Sequence, residues 1–207
     1  MAIAGFFVFL TTGGLLWSRN VLYNVIFLSA EGMALTVMVW ISNPLTLTTF
    51  GIGMATLFIK MGVIPGAMYR VIKQWPIEYR REQSLPLWSY LAAVVLVLAV
   101  GHVIQLLTPS GIILHQTLFF YGMASIFLGL LLIISRSHVV SQVSALVAVE
   151  NGLVVLAASV VGALPTFMEY GMLIDLLLAV VILFWMGRRI HWKFNTVDAA
   201  AMKFLRG

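Results

Sequence analysis

The sequence predicts an all-α integral membrane protein with seven transmembrane helices, and three observations support this fold class. Hydrophobic residues make up 62% of the 207 positions and charged residues only 9%, which leaves almost nothing for an aqueous domain. The apolar residues form runs of about 20, the length that crosses roughly 30 Å of hydrocarbon at about 1.5 Å per residue. Lysine and arginine cluster between these runs, as they do in the loops of membrane proteins.

The predicted helices follow these apolar runs in chain order. The third run is longer than a membrane requires, so we expect a tilt or a kink at Pro65. The first run lacks both a basic leader and a small-residue cleavage site, so we expect it to be retained rather than removed as a signal peptide. The predicted spans are Ala2–Trp17, Val21–Ile41, Leu45–Ile72, Leu87–Leu107, Ile112–Ile134, Val139–Ala163 and Met168–Gly187.

The loops between the predicted helices alternate between basic and uncharged. The links at 42–44, 108–111 and 164–166 carry no lysine or arginine, whereas the other loops and the C-terminal tail do. The positive-inside rule therefore predicts an N terminus outside and a C terminus inside. The formal net charge of +5 is explained by this topology, and we expect no nucleic-acid partner.

The chain contains no cysteine. Disulfides, thiolate metal sites and iron–sulfur clusters are thereby excluded, and any redox cofactor must belong to another subunit. The sequence also shows no nucleophile triad, phosphate-binding loop or metal-ligand cluster. We therefore expect this chain to hold no cofactor and to catalyse no reaction alone.

Ionisable residues interrupt four of the apolar runs. A charge at the bilayer centre costs about 2.5–3.5 kcal/mol even on lenient insertion scales, and such residues usually mark ion or proton pathways. Counted from the basic end of each helix, all four lie at a depth of about 15–20 Å. We therefore predict a layer of proton-relay groups near the midplane of the membrane, formed by Glu31, Lys60, Glu150 and Asp175.

Each of these candidates also has a structural interpretation. Glu150 could be a hydrogen-bonding group that ties helices together, as polar residues do in membranes. Lys60 and Asp175 could form an ion pair, either static or exchanging. His102 and His115 are secondary candidates, but two lone histidines without neighbouring acids or cysteines make a poor metal site. Packing or interface roles are therefore favoured for the histidines.

Two segments of the chain can be aligned so that their glutamates coincide. SRNVLYNVIFLSAEGMAL begins at Ser18 and SHVVSQVSALVAVENGLV begins at Ser137, which places Glu31 against Glu150. Each segment precedes a helix with a further ionisable residue, so we predict two parallel three-helix units joined by one helix. The predicted units are 1–72, a loop and linking helix at 73–111, a second three-helix unit at 112–187, and a basic tail at 188–207.

The second unit carries a resemblance to a known family. GLLLIISRSHVVSQVSALVAVENGLVVLA, followed by IDLLLAVVILFWMGRRI and HWKFNTVDAAAMKFLRG, resembles the C-terminal half of hydrogenase-4 component E, a membrane subunit of formate hydrogenlyase-type complexes. That half is similar to the K subunit of complex I and to the C subunit of multisubunit sodium/proton antiporters. Complex I K subunits carry glutamate in the last helix, where this chain has aspartate. The matching landmarks are Glu150, Asn151, Gly152 and Asp175, with Lys60 and Pro65 in FIKMGVIP of the N-terminal half.

The resemblance implies a noncatalytic subunit in the membrane arm of a complex I-like or group 4 hydrogenase-type complex, in a bacterial or archaeal inner membrane. Its expected partners are the lipid bilayer, antiporter-like membrane subunits and a peripheral redox arm that holds the nickel–iron site and the iron–sulfur clusters. Such a subunit would relay protons laterally and couple redox chemistry to ion translocation. Two alternatives stay open: a sodium/proton antiporter subunit without a redox arm, and a structural scaffold.

Overall fold

The computed structural model describes residues 1–44, 46–73, 80–82, 84–107 and 115–161, together with 174, 181 and 185. Over these residues the chain is helical and contains no β-strand, so the all-α prediction is confirmed there. The predicted span Met168–Gly187 lies outside them, apart from the three isolated positions. The helices are α1 (Ala2–Trp17), α2 (Val21–Ser42), α3 (Leu47–Thr56), a π-helical segment (Leu57–Val63), α4 (Ile64–Lys73), α5 (Leu87–Leu107), α6 (Gln116–Ser135) and α7 (Val139–Val161).

Five helical stretches in the described part of the chain are long and apolar enough to cross a membrane. They correspond to the second to sixth predicted spans. Helix α1 is also apolar but has 16 residues, or about 24 Å at the helical rise. The chain therefore has the build of a multi-pass membrane protein. The five stretches are Val21–Ser42, Leu47–Lys73, Leu87–Leu106, Gln116–Ser135 and Val139–Val160.

The third predicted span is one continuous helical stretch whose centre is a π segment. Helix α3 runs directly into residues Leu57–Val63, and α4 starts at Ile64. The sequence analysis placed the irregularity at Pro65, and the structure places a π segment immediately before it. Proline removes one backbone donor and its ring crowds the preceding turn, so altered hydrogen bonding upstream is expected. Lys60 is the buried residue of this segment.

Close backbone contact joins α6 to α7. A Cβ atom added to Gly122 would lie 2.6 Å from the backbone nitrogen of Leu156. A Cβ atom added to Gly152 would lie 3.0 Å from the backbone nitrogen of Ile126. Small residues let membrane helices approach this closely, and the pairing holds α7 firmly beside α6.

The turns that carry basic residues meet at one end of the helical bundle. The backbone N–H of Glu82 donates to the carbonyl of Arg19 at 2.9 Å. Arg81 forms an isolated β-bridge with Asn20. Arg136, in the α6–α7 turn, forms an ion pair with Glu82 at 3.1 Å. The α1–α2 turn, the segment before α5 and the α6–α7 turn are therefore neighbours.

Arg136 is buried at this end and caps α1 from the α6–α7 turn. Its Nη2 donates to the carbonyl oxygens of Leu15 at 3.3 Å, Leu16 at 2.9 Å and Ser18 at 2.6 Å. The last carbonyls of a helix have no partner within it, and a cation there also compensates the helix dipole. Sequence analysis treated this arginine as a topology signal, whereas the structure also uses it to fix the end of α1.

The hydrophobic core is divided into two clusters along the helix axes. The first cluster lies toward the basic end and the second toward the opposite end. Along α1, α2 and α7 the two clusters are separated by polar positions, which form the candidate site. The first cluster includes Leu15, Leu16, Val21, Leu28, Leu132, Val143 and Ala148. The second includes Ala4, Val8, Leu35, Met38, Leu118, Val154 and Val155.

Gly122→Ala should destabilise the protein by about 1–3 kcal/mol, because its methyl group would press on the backbone of Leu156. The matched control is Gly66→Ala, on the exposed side of α4, where an added Cβ meets nothing within 4 Å. Unfolding by increasing mole fractions of a denaturing detergent in mixed micelles, followed by circular dichroism, gives both free energies. Equal stabilities for the two variants would contradict the α6–α7 contact.

Candidate functional site

A buried polar layer separates the two apolar clusters. Its members come from α1, α2, the π segment and α7, and each lies in the central part of its helix. Because apolar side chains close the layer on both sides along the helix axes, its polar groups depend on one another for hydrogen bonds. The members are Thr11, Thr12, Glu31, Lys60, Glu150 and Asn151.

Lys60 lies at the centre of the polar layer. Its Nζ forms an ion pair with Glu150 Oε2 and donates a hydrogen bond to Asn151 Oδ1 at 2.7 Å. Only 3% of the Lys60 side chain is exposed. An ammonium group loses several kcal/mol of hydration when it is buried, and a carboxylate with further hydrogen bonds is needed to offset that loss.

Asn151 connects Lys60 to a second carboxylate. Its Nδ2 donates to Glu31 Oε2 at 2.7 Å, while its Oδ1 accepts from Lys60. An asparagine side chain presents both a donor and an acceptor, so it can bridge an ammonium and a carboxylate. The amide does not titrate, and it therefore joins the two charged groups without itself carrying a proton between them.

Glu31 is fully buried at the inner end of the layer. Its Oε1 lies 3.2 Å from Thr11 Oγ1 and 3.0 Å from Thr12 Oγ1. Together with the amide of Asn151, three potential donors point at this carboxyl group. Donors to both oxygens suit an ionised acid, which can only accept hydrogen bonds.

Gly32 brings the π segment against α2 next to Glu31. A Cβ atom at this position would lie 2.9 Å from the backbone carbon of Lys60. A larger residue would push the π segment away, and the Lys60 side chain with it. The small residue that follows the glutamate therefore sets the distance between the two charged helices.

The layer carries an unbalanced charge. With Glu31, Lys60 and Glu150 all ionised, the two carboxylates and one ammonium leave a net charge of −1. A net charge is unfavourable in a buried, poorly polarisable site. The layer is therefore electrostatically suited to take up one further proton or monovalent cation.

Glu150 is the accessible end of the layer. Its side chain is 15% exposed, compared with 3% for Lys60 and 0% for Glu31. Its Oε1 is buried and accepts no hydrogen bond from the described residues, while nearby Leu153 on the same helix is exposed. Burial of the ionisable groups therefore decreases across the layer from Glu31 to Glu150.

The structure brings together three of the four predicted relay residues, Glu31, Lys60 and Glu150. Asp175 lies outside the described residues, so its possible ion pair with Lys60, one of the two interpretations left open by the sequence, stays untested, and Lys60 here pairs with Glu150. His102 on α5 and His115 at the start of α6 are exposed and take no part in the layer. Within the stretches that the structure describes, no group of His, Cys, Asp and Glu could hold a metal ion.

Sequence analysis missed the two threonines and gave no role to the amide of Asn151. Threonines are common in apolar helices because the hydroxyl can bond to a carbonyl of the preceding turn. Thr11 and Thr12 therefore look neutral in a hydropathy pattern. The only local signal was a pair of hydroxyl residues in the middle of the first apolar run.

The fold and the site define a multi-pass α-helical membrane protein with a buried network of ionisable groups at its centre. Comparisons of the chain with protein-family models, curated proteins and solved structures give no match. The resemblance to hydrogenase-4 component E therefore stays a prediction from sequence motifs.

Lys60→Met should destabilise the protein by about 3–5 kcal/mol, because it leaves the Glu150 carboxylate buried without its counter-ion. The double variant Lys60→Met/Glu150→Gln should recover part of that loss, since it removes both charges. Lys73→Met, the same substitution at the exposed end of α4, is the control. Detergent unfolding in mixed micelles compares them, and a Lys60→Met variant as stable as the control would contradict the ion pair.

Proposed function

We propose that this protein is a noncatalytic, proton-relaying subunit of an energy-converting membrane complex of the complex I-like or group 4 hydrogenase type. The observation that carries the proposal is the buried chain of contacts from Glu150 through Lys60 and Asn151 to Glu31. Polar and ionisable groups at this depth in a membrane are costly and usually mark ion or proton pathways. The resemblance of the second unit to hydrogenase-4 component E points to the same class.

The contacts suggest a sequence of proton transfers. A proton that reaches Glu150 from a neighbouring subunit neutralises its carboxylate and weakens the ion pair with the Lys60 ammonium. The flexible stem of Lys60 then carries Nζ past Asn151, and the ammonium gives a proton to Glu31. The neutral amine takes the proton from Glu150 as it returns. One proton has moved from Glu150 to Glu31, and Lys60 and Glu150 are restored.

The gradient of burial, from fully buried Glu31 to partly exposed Glu150, is consistent with a lateral relay that begins at Glu150. A neighbouring subunit that packs beside α7 would deliver the proton to this residue. The proposed topology has seven crossings, with the N terminus outside and the C terminus inside a bacterial or archaeal inner membrane. The proposed neighbours are antiporter-like membrane subunits and a redox arm that holds all metal cofactors, because this chain has no cysteine to ligate a cluster.

A purely structural function is the second candidate, and one observation favours it. The polar layer joins α1, α2, the π segment and α7 through hydrogen bonds, which is how polar residues hold membrane helices together. The relay is the first candidate because the layer also holds two carboxyl groups and an ammonium group, which are costly inside a membrane and usually mark ion or proton pathways. A sodium/proton antiporter subunit would use the same layer, and the subunit composition of the purified complex distinguishes it from the redox-linked type.

Glu150→Gln should lower proton translocation by the assembled complex about 100-fold, the scale of a lost acid–base group. Glutamine keeps the shape and the hydrogen bond to Lys60 but cannot take up a proton. The measurement is proton uptake into sealed vesicles, normalised to complex content on native gels. Glu150→Asp, which keeps the acid, should retain part of the activity. Normal proton uptake in an assembled Glu150→Gln complex would leave the scaffold as the better interpretation.

A further inference from the structure

The two threonines of α1 each face alternative hydrogen-bond acceptors. Thr12 Oγ1 lies 3.0 Å from Glu31 Oε1 and 2.9 Å from the carbonyl oxygen of Val8. Thr11 Oγ1 lies 3.2 Å from the same carboxylate oxygen. It also lies 2.7 Å and 2.9 Å from the carbonyl oxygens of Phe7 and Val8. Both hydroxyls are therefore within reach of Glu31 and of their own helix.

A hydroxyl group has one proton, so it can donate to only one of these acceptors at a time. When Glu31 is ionised, the threonine protons point at Oε1. When Oε1 is protonated, its new O–H can donate to Thr12 Oγ1, and the threonine protons rotate to the carbonyls of α1, the usual acceptors of helical threonine. Asn151 donates to Oε2 in both states. In both protonation states of Glu31, its carboxyl group, the two threonine hydroxyls and the Asn151 amide keep hydrogen-bond partners, and no heavy atom has to move.

This arrangement is specific to Glu31. Among the described residues, the charged groups that face it from the neighbouring elements are Lys60 of the π segment, through Asn151, and Glu150 of α7 beyond it. From α1 it meets the two hydroxyls alone among the described residues. Glu150, by contrast, has one oxygen paired with Lys60 and one without a partner in the described part of the chain. The carboxyl groups of Glu31 and Glu150 therefore have different hydrogen-bonding surroundings, which suit different roles.

We propose that Thr11 and Thr12 are positioning residues that make Glu31 the proton-loading site of the polar layer, by rotating their hydroxyl protons between the Glu31 carboxyl group and the carbonyls of α1. The proposal rests on the proposed relay function and extends it, since it states where the proton is held. Glu150 then serves as the exchange site at the accessible end. Two uncharged residues allow a buried acid to exist in both protonation states without repacking.

The experiment compares isosteric pairs in the complete complex. Thr11→Val/Thr12→Val removes both hydroxyls and keeps the shape, whereas Thr11→Ser/Thr12→Ser keeps both hydroxyls. Thr36→Val is the matched control, because Thr36 is also buried but, within the described part of the chain, its hydroxyl bonds to the carbonyl of Gly32 alone. Proton uptake into sealed vesicles is measured for each variant, and Glu31→Gln is measured alongside.

The valine pair should slow proton uptake at least about tenfold, because it removes two hydrogen bonds to Glu31 and the loss of even one bond to a charged group has this scale. The serine pair and Thr36→Val should stay within about twofold of the unmodified complex, since every hydroxyl near Glu31 is kept. An unmodified rate in the valine pair, or a serine pair as slow as the valine pair, would overturn the proposal. An unmodified rate in the Glu31→Gln complex would contradict the proposed relay function itself, because Glu31 would then carry no proton. This outcome distinguishes a failure of the relay from a failure of the threonine proposal alone.

A spectroscopic measurement covers the case in which the valine pair fails to assemble. The infrared carbonyl band of protonated Glu31 is identified in the full chain in lipid by its loss in Glu31→Gln. In Thr12→Val this band should move to higher wavenumber, because the acid O–H has lost its acceptor, while Thr36→Val should leave it in place. A band that is unmoved in Thr12→Val would contradict the role of the hydroxyls, whatever its effect on assembly.

Discussion

The arrangement of the helices depends on one electrostatic constraint: an ammonium group buried between two carboxylates needs all of its partners at hydrogen-bonding distance. Lys60 meets this requirement only if the π segment, α2 and α7 come together at one level. Gly32 allows the π segment to approach α2, and Asn151 spans the remaining gap to Glu31. The apolar clusters on either side then exclude water from this level along the helix axes, which strengthens each polar contact.

The part of the chain that the structure describes contains two buried charged clusters, and their chemistry differs. At the basic end, Arg136 balances Glu82 and donates to three carbonyls at the end of α1. Those contacts balance the Arg136 and Glu82 charges and cap α1, which suits a purely structural role. The central layer has a net charge of −1 when ionised, flexible Lys60, and an acid oxygen without a partner among the described residues. These properties suit proton exchange, and they are the physical reason for proposing that the central layer is the functional site.

Much of the helical framework and the position of the site could be predicted from the sequence. Helices α1 and α5 have the predicted bounds, and α2 differs by one residue at its end. The depth of Glu31, Lys60 and Glu150 followed from counting residues along apolar runs, because a helix has a constant rise. The π segment was not predicted, since its hydrogen bonding leaves no distinct mark on hydropathy. Asp175 lies outside the described residues, and its role stays a prediction.

For the described residues, the sequence by itself determined which segments are helical and which ionisable residues lie near the middle of the helices, because both follow from local apolar patterns. Only the tertiary structure decided the partners: Lys60 pairs with Glu150, 90 positions away, and Asn151 donates to Glu31, 120 positions away. Depth is a coordinate along the helix axis, whereas partner choice depends on the rotation of each helix about that axis. That rotation is set by packing between distant segments, through Gly32, Gly122 and the π segment, and hydropathy does not record it.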